Sequence, residues 1–157
     1  MAGASEIISI EYDDKAITEA LERLQKATGD LEPAFIDIGE HLLESTQQHF
    51  ADQVDPDGNP WAELTDATKA RKKKNADKIL IGEGDLMGFM RYNADHNGLA
   101  FGSDRIYAAM QQFGGETAAN SAIPGKTIPA RPFLGISADD EQAIIGIVSH
   151  YLSGVIS

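Results

Sequence analysis

"LEPAFIDIGEHLLESTQQHFADQ", residues 31–53, is the stretch on which the fold turns. Leu31, Phe35, Ile38, Leu42 and Phe50 fall at three- and four-residue steps or their multiples, which places them on one face of a helix. Pro33 sits in the first turn, where its missing N–H removes no helical bond. An apolar stripe of this length must be covered by other elements, and the flanking sequence supplies them.

Upstream, Asp13 or Asp14 caps a helix whose apolar positions are Ile17, Leu21 and Leu24 and which ends at Gly29. Before it, "IISIEY" alternates Ile8, Ile10 and Tyr12 on one face, the pattern of a short strand. Downstream, "VDPDGNPWAEL" (54–64) is a turn-rich loop whose Trp61 and Leu64 are expected to fold back onto the long helix. A polar helix is expected from Thr65 to about Asn75, then a hairpin pairing Met90–Asp95 with Gly98–Gly102 through the turn "DHNG". Ile106–Phe113 reads as a short helix stopped by Gly114 and Gly115. The small-residue loop at about 114–127 is expected to be mobile unless a partner orders it. Ser137 caps a last helix with Asp139, Asp140 and Glu141 in its first turn and Ile144, Val148, Tyr151, Leu152 and Val155 on its apolar face. The class is α+β: helices packed on a small antiparallel sheet, in a single domain spanning 1–157.

The 157 residues suffice for a real core. With no cysteine there is neither a disulfide framework nor a thiolate metal site. The N-terminus lacks a secretory pattern and no apolar run is long enough to cross a bilayer, so the expectation is a soluble intracellular product that does not use a membrane. Net charge is −12, unevenly spread: residues 1–66 hold 16 acidic and 3 basic residues, whereas 67–78 hold 1 and 6. An acidic chain with one basic island, Lys69, Arg71, Lys72, Lys73 and Lys74, does not suit generic DNA binding by the whole surface. The island itself can meet phosphate, form a solvated face, or meet the acidic surface of a second copy.

Catalytic patterns are missing. Asp55, Asp57 and Asn59 match the first ligands of a calcium loop, but Pro60 holds the sixth position, where glycine is needed, and Asp66 the twelfth, where glutamate is. Asp37, His41, Ser45 and His49 share helical spacing without a third zinc ligand at a recognisable interval. No nucleophile elbow or phosphate loop is present. The expectation is a protein without enzyme activity, cofactor or metal.

"IPARPFLGIS" (128–137) places Arg131 between Pro129 and Pro132, which stiffen the backbone on both sides. Together with "DPDGNPWAELTDATKAR" (55–71), "KILIGEGDL" (78–86) and "FGSDRIYAAMQQFGG" (101–115), it resembles the virion-morphogenesis and tail-completion family of Mu-like tailed phages and prophages. The resemblance covers residues 31–157. One departure is Gln111 before Gln112, where the family commonly has histidine, which argues against a pH-sensitive or metal-bearing contact there.

The resemblance implies a structural protein at the head–tail junction of the virion, assembled in the host cytoplasm. It would form a homo-oligomeric ring, a hexamer, beside neck, connector and tail-tube proteins, with DNA passing through the lumen. The same assembly offers a tail terminator capping the tube as an alternative. A nucleic-acid-binding protein acting through residues 69–74 is the alternative of another class. The expected interface residues are Pro129, Arg131, Pro132, Phe133, Tyr107, Gln112 and Phe113. Arg131 would grip a neighbour's carboxylate, with Phe133 sealing the contact, or both would fix the C-terminal helix of their own subunit.

Overall fold

The computed structural model describes residues 14–71, 90–103, 108–116, 125 and 127–156. Within them run α1 (Lys15–Thr28), α2 (Glu32–Asp52), α3 (Asp66–Arg71), β1 (Met90–Ala94), β2 (Leu99–Ser103), α4 (Ala108–Phe113), β3 (Gly115–Glu116), β4 (Thr127–Ile128) and α5 (Ala138–Ile156). The fold class is α+β as expected; among the described residues its sheet component is two small two-stranded sheets, β1–β2 and β3–β4. The expected strand at Ile8–Tyr12, Tyr107, Lys72–Lys74 and most of the 114–127 loop lie outside the described residues. The ends of that loop are ordered by pairing: Gly115 faces Ile128 and Glu116 faces Thr127.

Two compact units divide the chain, and α2 contributes to both, through Ser45 to one and from Thr46 to the other. The helical unit takes in Ile10–Ser45, Arg91–Gly102 and Ile136–Ser157. Its α1 begins at Asp14, whose carboxylate accepts from the Ile17 N–H at 2.9 Å, and closes on Gly29 at φ 73°, whose N–H reaches the Gln25 carbonyl. Asp30 starts α2 by accepting from the Glu32 N–H at 3.0 Å. Ala20 and Leu24 of α1, Ala34, Phe35, Ile38 and Leu42 of α2, and Ile144 and Val148 of α5 make one core. Each fully buried large side chain there is worth about 1.5–3 kcal/mol. Ala94, Leu99 and Phe101 bring the hairpin onto it, and Asp95 tightens the turn by accepting from Asn97 and Gly98 N–H groups.

Gly39 lies in the α2 stripe because Tyr92 packs flat over it. A Cβ there would stand 2.6 Å from Tyr92 Cγ, closer than any side chain tolerates. Tyr92 then donates to Glu40 at 2.6 Å, and Tyr151 of α5 donates to Asp37 at 2.5 Å. Two phenol-to-carboxylate bonds thus fasten the hairpin and α5 to neighbouring turns of α2, and each carboxylate holds its phenol's pKa above the ordinary value.

The loop-rich unit takes in Thr46–Met90 and Ser103–Gly135 with Met1–Ser9. Its core is aromatic. Phe50, at the end of α2, is fully buried, meets Trp61 edge-on at 5.3 Å between ring centroids and lies 5.7 Å from Phe133. Trp61 is therefore the anchor its solitary place in a polar loop suggests.

Candidate assembly edge

In the loop-rich unit residues 131–134 of the proline segment form a buried belt. Arg131 is 6 % exposed, although its type usually reaches solvent. The sequence reading offers it a neighbour's carboxylate or its own C-terminal helix; the structure gives it another partner. Nε donates to the Ala62 carbonyl at 2.7 Å and Nη2 to the Glu63 carbonyl at 3.0 Å. Two carbonyl dipoles face the cation, and burial holds its pKa below the ordinary arginine value. Trp61 returns the brace by donating Nε1–H to the Pro132 carbonyl at 2.6 Å. The belt and the 61–63 loop thus hold one another through three hydrogen bonds.

Gln112 holds the other side. Its Oε1 accepts from the N–H groups of Phe133 and Leu134 at 3.0 and 2.9 Å, and Nε2 donates to the Leu134 carbonyl at 3.0 Å. One buried amide side chain replaces a pairing strand, satisfying three backbone groups that burial would otherwise strand. One step on, the Arg131 N–H donates to the Gln111 carbonyl at 2.7 Å. Gly114 then takes φ 70° directly against Ala130, where a Cβ would lie 2.7 Å from the Ala130 nitrogen, so glycine is required for both backbone and space.

The outcome is a fixed edge. Phe113 is 60 % exposed, and Pro129 and Ala130, opposite it across the Gln111–Arg131 bond and the β3–β4 ribbon, are exposed as well. Of the expected interface residues, Arg131, Phe133 and Gln112 are buried inside their own unit, Pro132 is half-buried, and Phe113 and Pro129 face outward. Ala130 is an addition that only the register across Gln111–Arg131 could reveal.

The other candidates resolve locally. The Asp55 carboxylate is occupied by its own loop, accepting from Asp57 N–H, Asn59 N–H and Asn59 Nδ2. In the helical unit His41 Nε2 lies 2.9 Å from Asp140 Oδ1, and Ser45 also bonds to that carboxylate. Asp140 holds the centre of this trio, with the His41 ring and the Ser45 hydroxyl both bonded to its carboxylate. The same aspartate closes a capping box with Ser137: the Asp140 N–H donates to Ser137 Oγ, and the Ser137 N–H donates to Asp140 Oδ2, both at 3.0 Å. Burial alone pushes the Asp140 pKa up, but bonds from Ser45, the Ser137 backbone, His41 and the Ser137 hydroxyl outweigh it and hold the value below the usual carboxylate range. Among the described residues no three metal-ligating side chains converge, and Lys69 of the basic island is exposed on α3.

Phe113, Pro129 and Ala130 thus form an exposed apolar edge in a small α+β protein. The comparisons carry this to a family: residues 12–153 match the phage virion morphogenesis family, and the chain belongs to it. It is 29 % identical over 153 residues to the "Putative capsid assembly protein G" of Escherichia phage Mu, covering 95 % of this chain and 96 % of that protein. It is 30 % identical over 147 residues to the "Mu-like prophage FluMu G protein 2" of Haemophilus influenzae, covering 92 % and 96 %. No solved structure matches it. The chain is a phage protein of virion morphogenesis.

Proposed function

We propose that the chain is a non-enzymatic component of the head–tail neck, completing the tail and joining it to the head as a homo-oligomeric ring of six copies. The observation that carries this reading is the braced belt at 131–134, which leaves Phe113, Pro129 and Ala130 exposed on a fixed backbone. A ring subunit must offer the same shaped edge to every neighbour, and an edge ordered before contact spares each interface the entropy of ordering it. In this reading Arg131, Gln112 and Phe133 hold the edge and the exposed residues make the contact. The Mu relative's name, which speaks of capsid assembly, agrees with action close to the head. Connector and tail-tube proteins are the outer partners, and residues 69–74 face either the passing DNA or an adjacent copy.

The test is genetic. Interrupting the reading frame in the phage or prophage is expected to leave full heads and finished tails that do not join, and labelled protein should appear at the junction by electron microscopy. Tails of uncontrolled length would point to a tail terminator. Tight binding of the isolated monomer to short duplex DNA at physiological salt would point to a DNA-binding protein. Normal particles would overturn the reading altogether.

A further inference from the structure

We propose that Phe113 of one copy seats in a groove on α1 of the next, so that copies associate head to tail; this rests on the ring reading and names the surface that receives the edge. Phe113 and Ile36 are the large apolar side chains that stand exposed among the described residues, and Phe113, at 60 %, is the more exposed. The groove lies in the helical unit, between α1 and the start of α2, lined by Thr18, Leu21, Glu22, Gln25, Lys26 and Leu31. Its volume of about 340 Å³ is near the lower end of the roughly 300–1,000 Å³ typical of ligand clefts. Leu21 and Leu31 give it an apolar floor, and Lys26 stands at its rim.

Charge selects the occupant and the direction. The helical unit holds 14 acidic and 4 basic residues, net −10, whereas the loop-rich unit holds 11 and 9, net −2, and includes the basic island. Two copies meeting through their helical units would set −10 against −10. Meeting head to tail, the less acidic unit of one approaches the acidic unit of the other, which reduces repulsion and makes the contact heterologous. Beside the aromatic knob, exposed Glu116 on β3 is the counter-charge for Lys26 at the groove.

The chain contains no cysteine, so a pair can be introduced against a clean background. Glu116→Cys with Lys26→Cys in one chain should form, under mild oxidant, a ladder extending beyond the dimer, whereas either substitution alone should give no ladder. Phe113→Ser should weaken self-association by at least about tenfold in sedimentation equilibrium, as loss of a central aromatic does, with the melting temperature unchanged. Glu116→Lys should weaken association and Lys26→Glu restore it. If the wild type assembles while Phe113→Ser assembles equally well and no ladder forms, the groove is not the receiver and the ring reading stands. If the wild type assembles neither in solution nor on tails, both ideas fall together.

Discussion

Arg131 shows how one buried side chain sets the shape of a surface it does not occupy. Its guanidinium spans two carbonyls through Nε and Nη2, a fork that fixes both the belt and the 62–63 loop. Arg131→Ala removes both donors from those carbonyls. Because Ala62 and Glu63 are themselves near solvent, the expected loss of stability is about 1–3 kcal/mol, below that for fully buried acceptors. Arg131→Lys keeps the charge but offers one ammonium where two separated donors are needed, so it should recover less than half of the loss. Chemical denaturation of both variants measures this. An alanine variant as stable as the wild type would mean the brace contributes nothing to stability. Gln112 obeys the same logic: Gln112→Glu keeps an acceptor for Phe133 and Leu134 but sets a carboxylate oxygen against the Leu134 carbonyl, and should lower the melting temperature.

Helix α5 joins the helical unit through its first turn, and pH reads that joint. The Asp140 pKa is held down by its bonds to Ser45, Ser137 and His41, so the stabilisation is fully present above the unfolded value, about 3.9, and is lost as pH falls through the lower folded value. Glu141 behaves oppositely. Asp14, beside it at the cap of α1, raises its pKa, so its favourable contribution exists at low pH and disappears as pH rises through that higher value. Asp140→Asn is expected to cost about 1–3 kcal/mol at pH 7 and to flatten the acid limb below about pH 4, whereas Glu141→Gln should leave neutral stability unchanged or slightly raised. Unfolding midpoints across pH 2–8 would test this; an acid limb unchanged in Asp140→Asn would assign the acid sensitivity to other carboxylates. Gly39→Ala should also be severe, since its new methyl meets the Tyr92 ring. These elements differ in how far sequence exposes them. The period of α2, the "DHNG" turn and the Ser137 cap are local patterns, and all three appear where local chemistry puts them. Thr46 falls inside the buried α2 stripe unnoticed because periodicity scores apolar residues alone. The partners of Arg131 lie 68 and 69 residues away, and carbonyl acceptors carry no residue signature, so no reading of spacing could find them.

At the scale of the whole molecule, the proposed ring would make charge distribution govern how copies approach before any side chain interlocks. The chain is acidic throughout except at residues 67–78, where 6 basic residues face 1 acidic one. If copies form the proposed ring, such an island would attract the acidic surface of another copy and orient it, an effect on encounter that screening weakens once the Debye length, about 8 Å at physiological salt, shrinks further. The seat proposed for Phe113 is apolar, so its own contribution, apart from the Glu116–Lys26 pair beside it, should be nearly indifferent to salt. The two contributions can therefore be separated. Replacing Lys72, Lys73 and Lys74 by Gln removes three positive charges and takes the net charge from −12 to −15. The expected outcome is an unchanged melting temperature, slower association at low salt, and convergence with the wild type as salt is raised toward about 0.5 M, where screening acts on both. Phe113→Ser should instead weaken association by the same factor at every salt concentration. On the neck reading, the triple variant should delay joining of heads to tails in infected cells without preventing it, because the proposed apolar contact would remain. If the triple variant associates like the wild type at low salt yet its particles eject DNA abnormally, the island acts on the passing duplex and plays no part in bringing copies together.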